Sequence, residues 1–143
     1  MSTTRTRLGW AGVAAALALT MTGCTKGVRE RCSGADHEMS CTVTYKKSDS
    51  QWSTDLEGDR THSTAVINGT FTVDSGSGTL ILEGADETVE HPISAEEPVE
   101  ITDLTLAMTS KRDGDERISA VVLRTTTDDV IEGFSAEYTY TTS

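Results

Sequence analysis

The chain has 143 residues, with 23 acidic against 12 basic side chains and a formal net charge of −11. A single domain of this length builds one modest core and leaves no room for the two α/β lobes of a solute-binding protein. Charge of this sign repels nucleic acid and anionic lipid and makes a cationic partner the electrostatic default, with plain solubility as the simpler reading.

The chain opens with Arg5 and Arg7 and no acid, followed by an apolar run from Leu8 to Leu19 that is rich in alanine. Crossing a bilayer takes about 20 apolar residues, so a run of about a dozen is too short for a membrane span. A positive start and a short apolar segment predict a secretory signal. No adjacent Arg-Arg pair supports the twin-arginine route.

The run closes on Leu19-Thr20-Met21-Thr22-Gly23-Cys24. Met21, Thr22, Gly23 and Cys24 resemble the lipobox of bacterial lipoproteins, with Met21 where leucine is usual. The resemblance covers residues 1–24 alone. It implies a diacylglyceryl group on Cys24, cleavage between Gly23 and Cys24, and a lipid anchor on the outer face of the cell membrane. The expected organisation is a signal peptide at 1–23, a membrane-proximal tether at 24–31 and one all-β domain at 32–143.

Without residues 1–23, ten basic and 23 acidic residues remain, a net of −13. Lipid on Cys24 also resolves the odd cysteine count. Cys32 and Cys41 are left to pair in an oxidising compartment. A bridge over so short a loop contributes about 2–3 kcal/mol. Zinc is the competing reading of neighbouring cysteines, but it needs about four ligands. His37 lies between the two and no fourth ligand is evident, so no metal and no cofactor is predicted. Seven residues separate Cys24 from Cys32. Fully extended, they reach about 29 Å at most. Lys26, Arg29 and Arg31 in this tether either touch anionic headgroups, for about 1 kcal/mol each at best, or form a solvated linker.

Beyond Cys41 the pattern is strand-like, with short Thr- and Val-rich segments between Gly, Asp and Ser clusters. It predicts an antiparallel β-sandwich or barrel of about seven or eight strands. The first runs from Met39 to Tyr45, with Cys41, Val43 and Tyr45 on one face. The second spans Gln51 to Leu56, with Trp52 and Leu56 in phase, and residues 56–60 form a loop. Ser63 to Val73 contains Asn68-Gly69, a hairpin signal. A continuous strand with Ala65, Ile67, Phe71 and Val73 on one face is the preferred reading, because the hairpin's arms would be short. Residues 74–78 make a turn, followed by strands at Thr79–Glu83 and Glu87–Ile93. Pro92 and Pro98 bracket an acidic loop with Glu96 and Glu97.

Asp113-Gly114 predicts a type I′ hairpin pairing Met108 with Ser119, Leu106 with Val121, Leu104 with Leu123 and Lys111 with Glu116. Asp128-Asp129 turns into a last strand in which Phe134, Ala136, Tyr138 and Tyr140 alternate with polar residues.

No catalytic constellation stands out. His37, His62 and His91 fit no motif and read as surface histidines. Gly76-Ser77-Gly78 lacks the glycine spacing of a nucleophile elbow. Asp55, Glu57 and Asp59 begin like a calcium loop, but Gly58 breaks it and no glutamate closes it. The six aromatic residues beyond Cys24, Tyr45, Trp52, Phe71, Phe134, Tyr138 and Tyr140, lie in phase with a core, which leaves little for a nucleic-acid platform. The leading expectation is a non-enzymatic binding module at the cell envelope, with a cationic envelope protein or peptide as partner. A small hydrolase with an unrecognised site, and a carrier with an apolar cavity between sheets, are the alternatives.

Overall fold

The computed structural model describes residues 25–35 and 37–143. Cys24 and the signal segment lie outside the described residues. The strands are β1 (Thr25–Lys26), β2 (Arg29–Ala35), β3 (Glu38–Ser48), β4 (Trp52–Gly58), β5 (Thr64–Thr72), β6 (Ser77–Glu83), β7 (Thr88–Ser94), β8 (Val99–Ala107), β9 (Thr109–Asp113), β10 (Glu116–Thr127) and β11 (Ile131–Thr142). They form two antiparallel sheets. One runs β1–β3–β11–β5–β8, with β2 also on β3; the other runs β4–β10–β6–β7, with β9 also on β10. The fold is an all-β sandwich.

Alternation explains most of it. Successive side chains of a strand point to opposite faces, and Cys41, Val43 and Tyr45 of β3, Ala65, Ile67 and Phe71 of β5, and Phe134, Ala136, Tyr138 and Tyr140 of β11 all turn into the core. Trp52, Leu56, Leu80, Leu82, Val121 and Leu123 meet them from the other sheet. Tyr45 stacks on Phe134 with ring centroids 4.6 Å apart, and Trp52 lies 5.7 Å from Phe134. The Tyr45 hydroxyl is 3.0 Å from Thr125 Oγ1, so two buried polar groups satisfy each other.

Ser63 to Val73 is one strand, as preferred. Asn68-Gly69 serves a β-bulge instead of a turn. The register against β8 shifts between Ile67 and Gly69, Asp103 takes φ +47°, and its N–H donates to Asn68 Oδ1 at 2.8 Å. The extra residue of β8 is thus held by the asparagine amide. Pro92 lies within β7, opposite Thr79, and not at a loop boundary. β7 is a sheet edge, where a missing N–H is tolerated.

Two expectations are corrected. Residues 25–31 are not a free tether. Thr25 and Lys26 pair with Ser48 and Lys47, and Arg29 to Ala35 pair with Thr44 to Glu38. One register runs through both pieces, so β1 and β2 are a single edge strand interrupted at Gly27-Val28. Every residue of β2 is exposed, so no apolar alternation marks it in the sequence.

The second correction concerns residues 104–123. The expected pairs Met108–Ser119, Leu106–Val121, Leu104–Leu123 and Lys111–Glu116 are absent. β8 pairs with β5 in the other sheet. The chain changes sheet at Met108, whose N–H donates to Ser63 O at 2.8 Å, and only β9 pairs with β10. Asp113 lies opposite Glu116, so Gly114-Asp115 is the two-residue turn. Gly114 has φ +68° and Asp115 is not left-handed. This is the type II′ pattern, which asks for one positive φ and spares Asp113 the second that a type I′ turn would require. Splitting this segment and adding β1 and β2 raises the strand count above the expected seven or eight.

Candidate functional site

The predicted bridge is present: Cys32 and Cys41 are disulfide-bonded and stand directly opposite each other in the β2–β3 ladder. Cys41 is buried, while Cys32 is exposed on the edge strand. Glu30, two residues earlier, accepts a hydrogen bond from Thr54 Oγ1 at 2.9 Å. That bond ties β2 to the second sheet. An inward-turned charge on an edge strand also discourages further pairing. Its neighbours Tyr138 and Tyr140 are core tyrosines. Burial, with the Glu30 carboxylate adding to it, pushes the Tyr138 hydroxyl up, and burial pushes Tyr140 up to about 12.

The same edge carries a group of basic side chains. Lys26 faces Lys47 across the ladder, Arg29 and Arg31 face Thr44 and Thr42, and Lys46 completes the group; all five are exposed. Lys26, Arg29 and Arg31 were visible as a sequence cluster. Lys46 and Lys47 join them only through strand pairing. Thr25 Oγ1 lies 2.8 Å from Ser48 Oγ, which fixes the first described residue to the sheet.

The outer face of the second sheet is acidic. Lys111 Nζ is 2.8 Å from Asp55 Oδ2, and Arg124 Nη2 is 3.0 Å from Glu83 Oε2. Partial burial, then the charges of Asp113 and Asp55, raise the Glu57 carboxyl above its ordinary value, against the opposing effect of Lys111. Asp59 accepts from the Thr61 N–H and hydroxyl, both at 2.9 Å, which lowers its pKa. Asp55, Glu57 and Asp59 therefore run along a strand into a loop and do not converge on an ion. Among the described residues, no group of three or more His, Cys, Asp or Glu is placed to hold a metal ion.

Two histidines read separately from the sequence meet at one end of the sandwich. The His37 and His62 rings are edge-to-face with centroids 5.7 Å apart. His62 Nδ1 lies 2.7 Å from Thr142 Oγ1, and the Thr142 N–H donates to His37 O. Their loops are brought together by the end of β11, which no local pattern encodes. His91 lies apart, opposite Leu80.

A shallow depression of about 540 Å³ lies on the outer face of the first sheet, over Gly69, with Asn68, Thr70, Thr102, Glu100 and Glu137 around it. Its rim is hydroxyls and two carboxylates. It differs in kind from the apolar chamber between sheets that a carrier requires.

No protein-family model matches the chain, and no curated protein does. Among solved structures it is similar to CapF with the inhibitor 3-isopropenyl-tropolone, at 12% identity and a TM-score of 0.36, over 78% of this chain and 30% of that one. It is also similar to the capsular polysaccharide assembling protein CapF from Staphylococcus aureus, at 15% identity and a TM-score of 0.29, over 73% and 28%. The chain spans less than a third of the length of either.

Proposed function

We propose that the chain is an exported bacterial lipoprotein, cleaved before Cys24 and anchored by lipid on that residue, whose acidic sandwich is a non-enzymatic interaction module for a cationic envelope protein or peptide. The lipobox-like Met21-Thr22-Gly23-Cys24 supports the anchor. Charge distribution carries the interaction reading: residues 49–143 hold twenty acidic and five basic side chains, a net of −15. Two of those five cations are already engaged, Lys111 with Asp55 and Arg124 with Glu83. At Glu57, whose carboxyl is raised first by burial, the charges of Asp113 and Asp55 add to the rise and Lys111 opposes it. A basic partner supplies the missing positive charge, and complementarity of this kind mainly sets encounter rate and specificity.

Intact mass of the membrane-extracted protein tests the anchor. A diacylglyceryl increment on Cys24 is expected, and a Cys24→Ala variant should leave the membrane fraction. A mature mass without lipid refutes it. Retention of envelope proteins on the immobilised mature protein tests the module. Basic proteins held at low salt and released at moderate salt are expected; retention of nothing at either salt removes the reading.

A further inference from the structure

Residues 25–48 differ in sign from the rest of the mature chain. They hold five basic and three acidic residues, a net of +2, beside −15 for residues 49–143. Strand pairing gathers the five cations on one sheet edge. Lys26 lies directly opposite Lys47, an arrangement that destabilises a strand pair unless something offsets it. A Cβ placed on Gly27 would stand 2.7 Å from Lys46 Cγ, so the Lys46 side chain lies across the edge strand beside them. Arg29 and Arg31 continue the row. Nearby acids offset it only in part: Glu132 faces Lys47 from β11 and Asp49 follows Ser48, while Glu30 is bonded to Thr54 and Glu38 lies at the far end of the hairpin, opposite Ala35.

We propose that this edge docks on an anionic phospholipid surface and holds the domain in one orientation, with its acidic side turned away. The inference rests on the reading of Cys24 as the lipid-bearing residue. Thr25 follows Cys24 directly and is fixed to Ser48, so the lipid is joined to this edge with no slack between. Net negative charge is no obstacle to the contact. Fields are screened over about 8 Å at physiological salt. The acidic far edge, β8 with Glu100 and Asp103, is four strand spacings from β2 in the sheet order, or about 19 Å at 4.7–4.9 Å each. Each cation of this row acts on headgroups within about one screening length of itself, while the acids of β8 lie more than two such lengths away, the arrangement by which basic clusters bind anionic membranes.

The test is amine acetylation of the mature lipidated protein in vesicles of phosphatidylcholine alone or mixed with phosphatidylglycerol, read residue by residue by mass spectrometry. Lys26, Lys46 and Lys47 should be protected several-fold in the anionic vesicles at low salt and not at high salt, while Lys111 labels equally in both. Equal labelling of the three lysines in both vesicles overturns the proposal. Protection by soluble polyphosphate on neutral vesicles, with none on phosphatidylglycerol, assigns the edge to a free polyanion and overturns it too. If intact mass shows no lipid on Cys24, the anchor falls by itself. Co-sedimentation of that unlipidated protein with the anionic vesicles then decides the edge: binding at low salt sustains it, and no binding overturns it.

Discussion

Reduction of the Cys32–Cys41 bridge removes a constraint whose size follows from the sequence separation of nine residues. Chain entropy for a closed loop of that length gives about 2.6 kcal/mol at 25 °C. That is roughly a 70-fold change in the unfolding equilibrium and a melting shift of about 10 °C for a domain of this size. The effect should be uneven along the chain. All seven residues of β2 are exposed, so almost no apolar burial holds that strand once the bridge is gone. Its ladder with β3 and the Glu30–Thr54 bond remain. β11, by contrast, buries Phe134, Ala136, Tyr138 and Tyr140. Reducing the wild-type protein leaves both side chains in place, which separates the cross-link from any packing change at buried Cys41. Urea unfolding of the oxidised and reduced forms measures the global term, and amide exchange measures the local one. Loss of less than about 1 kcal/mol, against the chain-entropy figure, or β2 amides as protected as those of β11 after reduction, would refute this reasoning.

Gly69→Ala should cost about 1–3 kcal/mol in urea unfolding, because the new Cβ would stand 2.6 Å from Tyr138 Cβ and 3.0 Å from Glu137 O. Asn68→Ala, which removes the acceptor of the Asp103 N–H, should cost about 1 kcal/mol. Tyr45→Phe strands the buried Thr125 hydroxyl and should lose about 1–2 kcal/mol; adding Thr125→Val should recover part of it, and strict additivity would show that the two groups do not interact. Glu57 has a carboxyl pKa raised above its ordinary 4.5, so its contribution to stability is complete below that value and is lost as pH rises through the folded-state pKa. Glu57→Gln should therefore raise the melting temperature at neutral pH, with the gain shrinking as pH falls to 4.5 and below; a gain that grows in acid contradicts the assignment.

Alternation made the buried faces of β3, β4, β5 and β11 legible, because a strand with one wet and one dry face records that fact in every second residue. It does not record which strand lies alongside. Leu106 and Val121 turn into one interior whether they sit side by side in a hairpin or face each other across the sandwich. The sheet change at Met108 was therefore invisible, and the hairpin was extended too far. Asn68-Gly69 misleads for a related reason, since the residues that favour a turn also suit a bulge. The bridge was legible once the lipobox resemblance set Cys24 aside, which left two cysteines to pair. The basic edge was half legible: Lys26, Arg29 and Arg31 are close in sequence, whereas Lys46 and Lys47 reach them only because Glu38–Ser48 folds back in register. The His37–His62 contact depends on the end of β11 and left no trace in either loop.

The position of β11 bears on the order in which the molecule can assemble. This strand lies between β3 and β5, pairing residues 131–142 with 38–48 on one side and with 65–72 on the other. Until it arrives, the two halves of the first sheet have no common ladder, and the stack of Phe134 on Tyr45 has only one of its rings. Ladders between residues this far apart in sequence form slowly, because loop closure precedes any gain from contact. A chain emerging from its N-terminus therefore cannot complete its first sheet until its last strand is free.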